Sequence, residues 1–271
     1  LKPLCDKEGV RLGLAPHSLR AVPPNGLREA LAGLDAIDVT APIHIHIAEQ
    51  TKEVSDCIAW SGQRPVAWLL DHAPVDARWC LVHATHMDAD EYRRAGASGA
   101  VAGLCPTTEA NLGDGIFNLP AWRKAGGVWG IGSDSHICVN VAEELLMLEY
   151  SQRLSTRQRN VAADAAQPQV ATAMMLTALR GGAQAVGRPV GGLAVGQQAD
   201  FVMLNGADTP LSGLPAIEML SSHVFASHRT SAIAKVWVAG YAQVDSGGRH
   251  KLHASALNGF VTARRQLLEA P

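Results

Sequence analysis

The chain has 271 residues, 47% hydrophobic and 18% charged. That is enough to bury the core of one large domain, or of a medium domain plus a small one, and it excludes a disordered polymer. Lys plus Arg number 23 against 25 Asp plus Glu, a net charge of −2; this gives no basis for a nucleic-acid or anionic-membrane surface. Apolar runs stop well short of the ~18 residues of a membrane span, and five cysteines with no CxxC give no disulfide framework and suit a reducing cytoplasm.

In chain order, RLGLAPH (11–17), PIHIHIAE (42–49), WCLVHAT (79–85), GAVAGLCP (99–106) and GVWGIGSD (127–134) read as strands. Amphipathic stretches separate them: EVSDCIAWSG and PVAWLLDH, then DADEYRRAG, then NLPAWRKAGG. Strands alternating with helical patterns predict βα units and a parallel sheet, with polar groups gathered at the C-terminal strand ends. Residues 141–153 read as a helix, 154–168 as a polar surface excursion, and 169–187 as an apolar helix weakened at Gly181 and Gly182. GGLAVGQQADFVMLN ends in a strand, and AKVWVAGYAQVDSGG predicts a hairpin around Gly240. The tail SALNGFVTARRQLLEA reads as helix. The expected organisation is 1–190 as part of a barrel, 191–255 as a small β-domain segment and 256–271 as a terminal helix. Cys80, Cys105 and Cys138 are expected to be buried packing residues.

Eleven histidines are present, and seven of them (His17, His44, His46, His72, His83, His86 and His136) fall in the first half. The strand ends carry His44, His46 and Glu49; His83 and His86; Thr107, Thr108 and Glu109; and Asp134, Ser135 and His136. His17 and Arg20 close the first strand. Strand period two puts His44 and His46 on one face and Ile43, Ile45 and Ile47 on the other, toward the helices. Imidazoles and a carboxylate converging at one mouth suit a catalytic metal with an open position. Each residue alone has a plainer reading: a strand-end His as a hydrogen-bonded core residue, Asp134 as a helix cap, Glu49 as a solvated first-turn carboxylate. Four such residues at equivalent strand ends favour the site. His44 is balanced between packing and function. His86 and His136 lean toward exposed loops, His72 toward a helix C-terminus, and His223, His228, His250 and His253 toward the surface.

These residues resemble the amidohydrolase superfamily: HxxE at 46–49, a His on the next strand, an Asp on the last, and a GxxxGxxADFV tail (192–202). APHSLRAV, HIHIAEQTKEV, LVHATHM, GLCPTTEANLGDGIF and GIGSDSH are more specific and look like its formimidoylglutamate deiminase family. The resemblance implies an α/β fold, a partial TIM (β/α)8 barrel holding strands four to eight, with a small C-terminal β-domain segment. It implies a hydrolase acting on the C–N bond of a linear amidine, in histidine degradation: N-formimino-L-glutamate would give N-formyl-L-glutamate and ammonia. His46 and Asp134 would hold one zinc ion. Asp134 would also take a proton from the attacking water, His83 would hydrogen-bond that water or the tetrahedral centre, and Glu49 would pass a proton to the departing nitrogen. His17 and Arg20 would grip a substrate carboxylate, which a guanidinium fork matches better than a nucleobase.

The family's first-strand HxH pair has no counterpart, and the chain opens Leu-Lys-Pro-Leu. Both point to the C-terminal portion of a larger enzyme, expected to be inactive alone. The expected partner is a small acidic substrate, with no nucleic acid, no membrane and, by family analogy, a homodimer. Two readings compete: a related amidohydrolase deaminating a nucleobase-like ring, against which Arg20 and a TTEANLGDG loop argue, and a non-catalytic scaffold. Retention of Glu49, His83 and Asp134 together argues against the scaffold.

Overall fold

The computed structural model describes residues 1–226, 232–244 and 249–269. Four strands, β1 (Ile43–Ile47), β2 (Trp79–His83), β3 (Val101–Leu104) and β4 (Val128–Ile131), form a parallel sheet in chain order. Helices α1 (Lys2–Glu8) and α2 (Pro24–Asp35) precede β1; α3 (Thr51–Ser61) and α4 (Pro65–His72) link β1 to β2. Then α5 (Ala89–Ser98) links β2 to β3, and α6 (Pro106–Leu112) and α7 (Leu119–Lys124) link β3 to β4. Two longer helices follow, α8 (Val141–Thr156) and α9 (Val170–Val186). Next come β5 (Phe201–Leu204), α10 (Ala216–Phe225), β6 (Ile233–Val238), β7 (Tyr241–Val244) and α11 (His253–Glu269). Strands β5, β6 and β7 make a separate antiparallel sheet with β6 in the centre.

The predicted alternation along β1 is what the structure shows. Ile43, Ile45 and Ile47 are buried in one core with Leu27, Leu31 and Leu34 of α2 and Trp68 and Leu69 of α4, while His44 and His46 on the opposite face are half-buried. The hairpin expected at Gly240 forms, with Ala239 (φ 50°) and Gly240 (φ 80°) both left-handed, as a two-residue turn between twisted strands requires. The DSGG end of that prediction lies outside the described residues.

Several expectations are corrected. Residues 11–17 do not form a strand: segment 11–18 touches β1 through two isolated parallel bridges, Leu14–Ile43 and Ser18–His46. Pro16 has no N–H to give, so the ladder cannot run on between them. TTEANLGDG is not all loop. Its first part is α6, started by Pro106 in the first turn, tied by the Thr107 N–H and hydroxyl to Glu144 (2.9 and 2.6 Å), and ended by left-handed Gly113. Helix α8 runs on to Thr156, into the segment expected to be a surface excursion. The remainder of that segment is pinned inward, because fully buried Glu149 accepts the Val161 and Ala162 N–H groups. His223 is buried rather than on the surface, facing inward on α10; His250 is half-buried and His253 exposed, and His228 lies outside the described residues. Cys80 and Cys105 are buried as expected, but Cys138 is only half-buried.

Gly181, which together with Gly182 weakens α9 by propensity, has a packing reason. A Cβ on Gly181 would lie 1.9 Å from the Trp129 carbonyl oxygen of β4, so α9 reaches that strand at glycine-only distance. The last turn of α9 is further tied to the sheet's other elements. The His44 Nε2–H donates to the Ala185 carbonyl (2.8 Å), and the Gln184 amide donates to the carbonyls of Ala77 (3.0 Å) and Gly99 (2.8 Å).

Candidate active site

The C-terminal ends of β1, β2 and β4 open on one mouth, and the backbone there is left-handed at non-glycine residues. Ala48 (φ 50°), His83 (φ 67°), Ala84 (φ 48°), Asp134 (φ 42°) and His136 (φ 58°) all lie in this region. Such conformations cost of order 1–3 kcal/mol each and persist where surrounding contacts impose them. The contacts are visible here. Glu53 on α3 is buried and accepts the N–H groups of Ala48 (3.0 Å) and Glu49 (2.8 Å), which turns the chain out of β1 and presents the Glu49 side chain to the mouth. The Ala84 N–H donates to the Ile47 carbonyl (3.0 Å), locking the end of β2 beside that of β1.

The structure brings Glu49, His83 and Asp134 together. The His83 side chain is buried, with Nε2 3.7 Å from Glu49 Oε1 and 3.9 Å from Asp134 Oδ2. Its Nδ1 lies 3.2 Å from Oε1 of buried Glu109. The His46 ring lies 5.6 Å from that of His83 and 5.2 Å from that of His17, centroid to centroid. The His46 Nδ1–H donates to the His17 carbonyl (2.8 Å), which leaves Nε2 as the ring nitrogen with a lone pair. Arg20 is placed beside the site, but its guanidinium rests on Glu49, Nη2 to Oε2 at 2.7 Å, with Nε 3.9 Å from Glu53. His17 is exposed, its Nδ1 2.8 Å from the Ser18 hydroxyl.

Among the other candidates, the His86 Nε2–H donates to the Asp114 carbonyl (2.7 Å), which makes it a half-buried loop brace; His136 is exposed. His72 ends α4 as expected, stacked on Trp68 at 4.3 Å. Two residues had no assigned part in the site. Glu53 braces Glu49 from four residues downstream, a spacing the sequence shows but does not explain. Cys105 offers Sγ within 4.8 Å of ligand atoms of both His83 and Asp134.

Electrostatics follow from burial. Desolvation alone pulls the His83 pKa down. The Glu109 hydrogen bond and the charges of Glu109, Glu49 and Asp134 outweigh it, so the net displacement is upward. Burial, reinforced by the neighbouring carboxylates, pushes the Cys105 thiol far up.

This donor set fits a divalent cation. His83 Nε2 is buried without a hydrogen-bond partner, and two carboxylates face it at distances too long for hydrogen bonds. His46 stands beside them, its ring 5.6 Å from that of His83, with Nε2 the nitrogen not engaged by the His17 carbonyl. Burial disfavours the Cys105 thiolate, the form in which its sulfur would join them as a ligand.

The chain matches the model of the amidohydrolase family over residues 2–242 and belongs to that family. Among curated relatives it is 47% identical, over 99% of its own length, to the formimidoylglutamate deiminase of Pseudomonas aeruginosa, of which it covers 58%. Among solved structures it superposes on an amidohydrolase from Brucella melitensis with a TM-score of 0.89 and 49% identity, over 98% of this chain and 57% of that one. An adenosine deaminase from Xanthomonas campestris with bound zinc shares the fold, with a TM-score of 0.81 at 23% identity, over 96% of this chain and 57% of the other. The chain thus spans less than two thirds of the proteins it matches, and the sheet with its helices is a partial amidohydrolase barrel.

Proposed function

We propose that this chain serves the metal-dependent hydrolytic deimination of N-formimino-L-glutamate, in which water replaces the imino nitrogen, ammonia leaves and N-formyl-L-glutamate remains. The observation that carries the reading is the meeting of Glu49 and Asp134 on the unpartnered Nε2 of buried His83, with Arg20 alongside. A scaffold has no need of two carboxylates and an imidazole held at left-handed strand ends. The likeness to the Pseudomonas aeruginosa deiminase supports the choice of an acidic amidine over a ring.

His46 and Asp134 would hold the ion, which we propose to be zinc. The chemistry it supplies when bound is Lewis acidity, lowering the pKa of water toward ~7. Asp134 accepts the proton of the attacking water, His83 Nε2 orients that water, and Glu49 delivers a proton to the departing nitrogen. Arg20 has five N–H donors, of which the Glu49 contact engages one nitrogen. The rest of the fork is free to pair with a substrate carboxylate, and exposed His17 flanks it.

From the absence of a disulfide framework we place the protein in the cytoplasm, by family analogy as a homodimer, and from the sequence pattern we place the divisions at residues 190 and 255. No helix among the described residues is long and apolar enough to cross a membrane. Two protein ligands fall short of the three usual for catalytic zinc, so turnover requires further ligands such as an HxH pair. The test is ammonia release with zinc from formiminoglutamate, guanine, cytosine and adenosine, by this chain with and without an upstream HxH-bearing segment. Release from formiminoglutamate, dependent on that segment, supports the proposal; release confined to a ring substrate overturns it.

A further inference from the structure

We propose that Glu109 is a positioning residue that fixes His83 as the Nδ1–H tautomer, so that the nitrogen facing the reacting atoms carries a lone pair. Glu109 lies on α6 with its carboxylate buried. One oxygen, Oε1, serves both the Cys105 N–H (2.9 Å) and His83 Nδ1 (3.2 Å). An ionised carboxylate only accepts, so Nδ1 must donate; a neutral imidazole has one N–H, so Nε2 is bare.

The surroundings hold this arrangement in place. The first turn of α6 is anchored by Glu144 through the Thr107 N–H and hydroxyl, and the Cys105 N–H fixes the Glu109 oxygen from below. On the other side of the ring, Nε2 meets Glu49 Oε1 at 3.7 Å and Asp134 Oδ2 at 3.9 Å, too far for either to be its hydrogen-bond partner. A bare Nε2 between two acceptors suits an O–H donor placed among all three, which is the station of the attacking water. That last step rests on the proposed reaction; the tautomer itself does not.

The test reads the ring directly. The 15N shifts of the His83 imidazole, assigned by comparison with His83→Asn, are recorded on the metal-free chain at a pH above the ring's titration. The wild type should show a protonated Nδ1 and a pyridine-like Nε2. Glu109→Gln can keep an oxygen on both donors and should preserve that pattern. Glu109→Leu removes the acceptor and should move the proton to Nε2, in part or wholly. A wild-type ring protonated at Nε2, or a folded Glu109→Leu that keeps the Nδ1–H pattern, overturns the assignment. The wild-type spectrum decides even where Glu109→Leu does not fold.

With zinc and the upstream HxH-bearing segment, Glu109→Leu should lose about 10–100-fold in kcat with little change in KM, and Glu109→Gln should recover most of it. A KM effect alone would overturn the positioning role. Absence of any turnover of formiminoglutamate by the wild type would sink the reaction and leave the 15N result standing. Normal turnover with an Nε2–H ring would sink the role of Glu109 alone.

Discussion

Arg20 holds Glu49 across 2.7 Å in the structure and is assigned to the substrate's carboxylate in the proposed reaction. A charge-assisted hydrogen bond of this kind contributes about 1.5–3 kcal/mol. Arg20→Ala should therefore raise KM for formiminoglutamate by about 10–100-fold, which steady-state kinetics will show. A guanidinium that served Glu49 alone would instead give a loss confined to kcat. At this scale the sequence was informative about residue types and silent about partners. HxxE, the His at 83 and the Asp at 134 stood out because chemistry-bearing side chains recurred at strand ends. Glu53 and the pairing of Arg20 with Glu49 did not, because a glutamate in the first turn of a helix looks the same whether solvated or turned inward to staple a loop.

That stapling recurs at the scale of elements. Glu53 takes the N–H groups of Ala48 and Glu49, Glu91 those of Val66, Ala67 and Asp88, and Glu149 those of Val161 and Ala162. Each is a buried carboxylate satisfied by backbone donors, which offsets the cost of its desolvation. Apolar periodicity contains no trace of such residues. It did disclose β1, the lengths of α4 and α9, and the hairpin at Gly240, where pattern and burial coincide.

Two element-scale outcomes are expected. Gly181→Ala places a methyl group into the Trp129 carbonyl, and should destabilise the chain by about 1–3 kcal/mol or more in chemical denaturation. His223 is buried on α10 with Nδ1 unpartnered, and burial lowers its pKa from the ordinary 6.5. The unfolded chain therefore binds the extra proton first as pH falls. The stability linked to His223 is complete above about 6.5 and is lost as pH drops from there toward the lowered folded value. His223→Leu should flatten that acid-side decline in thermal unfolding, while the wild type and the variant run in parallel above neutrality.

The whole molecule shows an open parallel sheet whose C-terminal strand ends gather Glu49, His83 and Asp134 at one mouth. Segment 11–18 lies along one edge by isolated bridges, and α9 packs on β4 through Gly181. The α/β class and the small β-domain were legible because strand and helix periods alternate along the sequence. The breakdown of the first predicted strand was not, because RLGLAPH has the apolar pattern of a strand and only Pro16 marks where pairing stops. The site as a unit was legible for a topological reason: a parallel sheet gathers its C-terminal strand ends, so residues far apart in sequence meet without any local signal.

The central claim is that His46 and Asp134 share one cation. Crystals of the chain grown with zinc, measured at the zinc absorption edge, test it most directly. The account predicts an anomalous peak in contact with both the His46 ring and the Asp134 carboxylate. A peak held by Cys105 and His83, with His46 left out, would contradict it.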